Sequence, residues 1–171
     1  MESRAKALGH PIHPMLITVP LGLLATAVVF DVLHLITDRK GFAISAGYMI
    51  AAGIVGGLVA AIPGLVDWLA IPPGTRAKRV GALHGIGNVV VILLFALSWL
   101  ARTGSDWDPG VLAIVLGFAG LAVAGFTGWL GGELVDRLGV GVDEDANLNA
   151  PSSLGGGRGA ASTGRTVLGE H

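Results

Sequence analysis

Apolar positions in this chain fall in four long unbroken blocks. Stretches 15–30, 41–66, 80–101 and 110–132 contain no Asp, Glu, Lys or Arg. Three of them reach at least 22 residues, and about 20 suffice to cross a hydrocarbon core of roughly 30 Å. The first block is shorter, but it resumes after Asp31 through residues 32–36. A soluble helical core would show a polar stripe along each helix, and these blocks do not. The pattern predicts an all-α fold: a four-helix transmembrane bundle with spans at about 13–36, 42–69, 79–101 and 109–132. The intervening loops, 37–40, 70–79 and 102–109, are short. Short loops force neighbouring helices antiparallel, so the expected topology is up-down-up-down. Residues 1–142 then form one membrane domain. Residues 143–171 are polar and glycine-rich, cannot bury enough apolar surface to order themselves, and are expected to be a disordered tail. His171 ends that tail and is expected to be silent.

Composition agrees with the pattern and narrows the chemistry. The chain is 13% charged, against about 25% for soluble domains. Its net charge of −1 offers nothing to attract nucleic acid or an acidic substrate; the expected partner is the lipid bilayer. With no cysteine, a thiolate-held iron–sulfur cluster, a covalent c-type haem and a cysteine nucleophile are excluded on this chain. Arg4 and Lys6 precede the first apolar run as in a signal peptide. That run exceeds a signal h-region of about 7–15 residues, and no small-x-small site closes it, so a retained helix is expected.

Charge also orients the bundle. Near the spans, Arg4, Lys6, Arg76, Lys78, Arg79 and Arg137 share one side, while Arg39, Lys40 and Arg102 lie on the other. Excess Lys and Arg marks the cytoplasmic side, which predicts both termini inside the bacterial cytoplasmic membrane. Trp68 and Trp129 fall at span ends on that side, Trp99 and Trp107 at the opposite interface, as headgroup-level anchors do. The glycines of spans two and four, among them Gly53, Gly57, Gly64, Gly117, Gly120 and Gly128, are expected to let helices pack closely. Pro20 and Pro63 each remove a backbone donor inside a span and should kink it.

Candidate chemistry clusters at one end. His10-Pro11-Ile12-His13-Pro14 opens the first span, Asp67 closes the second, His84 and Asn88 begin the third, and Glu133 closes the fourth. Ionisable groups in or beside spans suggest a functional site. The first motif has two readings. As polyproline II, rising about 3.1 Å per residue, it separates the His10 and His13 imidazoles by about 9 Å; a helix starting at Pro11 brings them closer. His84 needs a partner for each ring nitrogen, and Asp67 is the expected one. Asn88 lies one turn further on the same face. At the far end of span one, the i, i+3 spacing of Asp31 and His34 allows a secondary pair.

Several of these segments resemble one family. His10-Pro11-Ile12-His13-Pro14, Pro20 with Gly22, Asp31, Pro63-Gly64-Leu65-Val66-Asp67-Trp68, His84 and Gly128-Trp129-Leu130-Gly131-Gly132-Glu133-Leu134-Val135 are similar to the bacterial membrane family called domain of unknown function 2231. The resemblance spans roughly residues 7–142. It implies a four-helix integral membrane protein without an established activity. Some members resemble fusions to a Rieske-type domain, which implies a redox setting. Members often carry a histidine after the fourth span, in a Val-Tyr-Arg-His-Gly-like pattern; here the stretch is Val135-Asp136-Arg137-Leu138-Gly139, with Leu138 at that position.

Two function classes are expected. One is a metal- or haem-binding membrane protein in a redox setting, with His10, His13, Asp67, His84, Asn88 and Glu133 as candidate ligands or proton carriers. A b-type haem would want His13 and His84 at matching depth, whereas a helix starting at Pro14 leaves His13 shallower. A metal ion held by histidines and a carboxylate tolerates that mismatch better. The other class is a non-catalytic membrane component that anchors a redox protein or another membrane partner. An ion pathway is the weakest class, because spans two to four carry no charged residue between their ends other than His84. The sequence assigns no enzymatic reaction.

Overall fold

A computed structural model describes residues 1–154. The chain opens with a small antiparallel hairpin, β1 (Lys6–Ala7) and β2 (His10–Pro11). Its turn places Leu8 at φ 51° and Gly9 at φ 84°, the left-handed pair that a tight two-residue hairpin needs. Helices follow at α1 (Ile12–Leu16), α2 (Thr18–Thr37), α3 (Lys40–Ala70), α4 (Arg76–Thr103) and α5 (Val111–Gly132). A π-helical turn, Glu133–Arg137, extends α5. Residues 143–154 are exposed turns and irregular chain. The rest of the predicted tail, including His171, lies outside the described residues.

The breaks have local causes. Pro20 cannot donate to the Leu16 carbonyl four residues earlier, and its ring crowds that carbonyl. The first span accordingly divides at Ile17 into α1 and α2. Pro63 lies inside α3 and deprives it of one donor without ending it. Asp38 closes α2 in the left-handed region, with its N–H on the His34 carbonyl. Thr75 caps α4 by accepting from the Lys78 amide at 3.1 Å.

All four long helical stretches are apolar and long enough to cross a membrane. Successive stretches pack as antiparallel neighbours, most extensively α2 on α3 and α4 on α5, with α3 against α4 joining the two hairpins. The central core is Leu24, Ala27, Val28, Ala46, Ile50, Val91 and Phe95. Large side chains such as Val55, Ile62, Leu83 and Ile86 face outward. Apolar residues on the outside of an apolar bundle suit hydrocarbon rather than water. The expected four-helix, up-down-up-down bundle is therefore the observed fold.

Close approach is set by glycine. A Cβ on Gly53 would sit 2.7 Å from the Leu24 side chain, and one on Gly120 would sit 2.8 Å from Phe95. At both places a large side chain of one helix rests directly on the backbone of its hairpin partner.

Candidate functional site

The first span becomes helical at Ile12, so His13 lies in the opening turn of α1 while His10 is extended in β2. The motif thus divides between its two sequence readings. The helix therefore begins before His13 rather than at Pro14. The His13 and His84 rings lie with centroids 6.2 Å apart and planes 86° from each other.

Each imidazole is anchored in the same way. His13 Nδ1 lies 2.8 Å from the Ala60 carbonyl of α3, and His84 Nδ1 lies 2.8 Å from the Thr127 carbonyl of α5. A carbonyl oxygen only accepts, so both Nδ1 atoms carry a proton, and the Asn88 amide donating to His84 Nε2 marks that nitrogen as the acceptor of its ring. Each ring also rests on a glycine one turn beyond its carbonyl. The Cβ positions of Gly64 and Gly131 fall 2.8 Å from His13 and 3.2 Å from His84. Asn88 completes the His84 side. Its amide donates to His84 Nε2 at 3.1 Å and to the His84 carbonyl at 2.9 Å, and its oxygen accepts from the Thr127 hydroxyl at 3.1 Å.

The two halves of the chain build this pair by equivalent contacts. His13 and His84, Leu24 and Phe95, and Asp31 and Arg102 are each 71 residues apart; Gly53 and Gly120, Ala60 and Thr127, and Gly64 and Gly131 are each 67 apart. Histidine to carbonyl, histidine to glycine, and large side chain to glycine all recur at those offsets. The paired residues of α1–α2 and α4 meet at both ends of the bundle: the imidazoles at one, Asp31 and Arg102 at the other.

The remaining candidates sit elsewhere. Asp67 is not the partner of His84. Its carboxylate accepts from the Ser3 hydroxyl at 2.8 and 2.9 Å, the Arg4 amide at 2.7 Å and the Ala5 amide at 3.2 Å. It holds the N-terminal segment, whose amides are free because the segment is not helical. Glu133 pairs with Arg76 at 2.6 Å. His10 meets the Ser153 hydroxyl at 3.2 Å. Near them, the Glu2 carboxylate, 2.5 Å from Lys6, raises the pKa of that ammonium above its ordinary value. The expected gathering of three histidines and two carboxylates thus reduces to two histidines, Asn88 and Thr127. Among the described residues, no group of three or more His, Cys, Asp or Glu side chains is placed to hold a metal ion.

The secondary pair is also rearranged. Asp31 and His34 do not bond each other. Asp31 receives Arg102 through two parallel bonds of 2.9 Å, and both side chains are almost fully buried. Arg102 also donates to the Ser98 hydroxyl and the Ser98 carbonyl, and Ser98 donates to the Ala113 carbonyl. His34 instead meets Asp108 at 2.9 Å. Sequence reasoning placed Arg102 among loop cations and missed this contact. The available signal was Ser98 one turn before Arg102, a polar ladder leading inward from the span end.

These features define a multi-pass membrane protein with four spans. The sequence profile of DUF2231, described as a predicted membrane protein, matches residues 9–144, and the chain belongs to that family. A search of curated proteins and of solved structures finds no significant match.

Proposed function

We propose that this membrane protein works through its His13–His84 pair, as a paired-imidazole site for a metal centre at the cytoplasmic end of the bundle. The matched anchoring carries the reading. Ligand histidines almost always donate their second ring nitrogen to a carbonyl, carboxylate or water, which fixes the tautomer and ring direction. Here both rings are held that way by backbone carbonyls. Asn88 is a positioning residue beside the pair, and Asp67 and Glu133 fasten chain segments around it.

Orientation follows from charge. Arg102 is buried against Asp31, so it no longer counts among the loop cations. The contrast between the two faces then sharpens to Arg4, Lys6, Arg76, Lys78, Arg79 and Arg137 against Arg39 and Lys40. This excess favours the orientation in which the histidine end and the N-terminus face the cytoplasm. The layer between the histidine pair and the Asp31–Arg102 pair consists of Leu24, Ala27, Val28, Val91 and Phe95. Such a layer supports a binding centre over a relay of protons or ions through the membrane.

Two measurements test the proposal. Cysteines replacing His13 and His84 should crosslink with reagents spanning up to about 10 Å, the separation of packed helices; failure to do so refutes the juxtaposition. Reporters fused at Lys40 and Ser105 should report the outside, and one after Val142 the cytoplasm. A reporter active only outside, yet active after Val142, overturns the orientation. Protein that crosslinks but binds no metal centre is a membrane component or anchor for a partner, and the site reading fails.

A further inference from the structure

We propose that the group bound between His13 and His84 is an iron porphyrin, a b-type haem with one imidazole on each face. The inference rests on the paired-imidazole reading and names its ligand.

Three observations select it. The first is spacing. A metal–imidazole bond is about 2.0–2.1 Å and a ring nitrogen sits ~1.1 Å from its ring centre, so two imidazoles on opposite sides of one metal have centres about 6.3 Å apart. The observed separation is 6.2 Å.

The second is the donor set. Only two imidazoles converge here, and the carboxylates are engaged elsewhere. Two protein ligands complete the shell of a metal that brings its own equatorial donors, as haem iron does. Bare Zn, Fe or Mn would want further protein ligands, and no group of three is present among the described residues.

The third is charge. A divalent ion on two neutral imidazoles keeps its whole charge inside an apolar bundle, at a desolvation cost of several kcal/mol or more. The porphyrin dianion cancels that charge at the metal. Its propionates would face the end that carries the exposed cations Arg4 and Arg79.

The surroundings accommodate this ligand. Both rings are half-buried, not sealed in the core. Next to His84 and Thr127 in the chain, the Cβ positions of Gly85 and Gly128 meet no side chain within 4 Å beyond those of their immediate chain neighbours. Ligation at His84 Nε2 would displace the Asn88 amide nitrogen, which now donates both to that atom and to the His84 carbonyl, while the Asn88 oxygen could still accept from the Thr127 hydroxyl.

The test uses full-length protein purified in mild detergent without chelators. If it is isolated without haem, hemin is titrated into it. The expected result is one haem per chain, with a Soret band and the sharp reduced bands of low-spin, bis-imidazole iron. His13→Ala and His84→Ala should each abolish the low-spin spectrum, and His34→Ala should leave it unchanged. Because a variant could simply misfold, His13→Gly is also measured with free imidazole added; recovery of the low-spin spectrum shows an intact bundle that lacks one axial ligand. Stoichiometric metal without a Soret band, lost in His84→Ala, overturns the porphyrin and leaves the paired-imidazole reading standing. Neither haem nor metal overturns both. Hemin bound equally by wild type, His13→Ala and His84→Ala also overturns the proposal.

Discussion

Replacing Arg102 with methionine should be among the most damaging substitutions in the chain. The change removes a cation that is 0% exposed and leaves the Asp31 carboxylate, 1% exposed, with no counter-charge in an apolar surround. Two charge-assisted bonds of 2.9 Å disappear, and the Ser98 hydroxyl loses its donor. Breaking a buried pair from one side costs about 3–5 kcal/mol. For a chain of this length each kcal/mol moves Tm by about 2–4 °C, so the expected drop is roughly 6–20 °C. The double variant Asp31→Leu/Arg102→Met removes both charges together and should stay within about 1 kcal/mol of wild type or exceed it. Thermal unfolding in detergent, followed by tryptophan fluorescence, measures both. Trp99, one residue from Ser98, reports on this end of α4 directly. Lys40→Ala serves as the comparison, since its pair with Asp106 is exposed and worth about 1 kcal/mol or less. A Tm change below about 2 °C for Arg102→Met would refute the reasoning. So would a double variant as unstable as the single one, because the damage would then not come from an uncompensated charge.

Other substitutions test the packing and the boundary of the site. Gly120→Ala forces a methyl to within 2.8 Å of the fully buried Phe95 ring and should destabilise by about 1–3 kcal/mol in the same assay; Gly117→Ala, whose nearest neighbours lie at 3.8 Å, should be tolerated. Asp67→Asn replaces a carboxylate that gathers three donors from Ser3 to Ala5, so limited proteolysis should release the first residues faster. Ligand retention should be unchanged in Asp67→Asn and Glu133→Gln, and loss of the ligand in either would restore those carboxylates to the site. Thr127→Val removes the hydroxyl bond to Asn88 but not the carbonyl that anchors His84; the ligand should remain, at a stability cost of about 0.5–1.5 kcal/mol.

Length and hydropathy alone determined the membrane class, the number of spans and their antiparallel order, because hydrocarbon thickness and short loops leave little freedom. The end-clustering of His13, Asn88 and His84 was likewise legible, since alternate spans in such a bundle start on the same side. Which of those groups meet was decided by the tertiary structure. A carboxylate goes to the nearest unsatisfied donors, and for Asp67 these were the amides of the non-helical N-terminal segment, whose path no periodicity records. Arg102 read as a loop cation because it follows a charge-free block. Only the tertiary structure revealed that its side chain reaches across the bundle to Asp31, 71 residues away. The depth of His13 turned on where α1 begins, a question that two prolines left open and that the hairpin before Ile12 resolved by holding His10 extended. The repeat of contacts between the two halves was written in the residue spacings all along. It became visible only when His13 on Gly64 and His84 on Gly131 were seen to pack alike, because small residues mark a close approach without naming the partner.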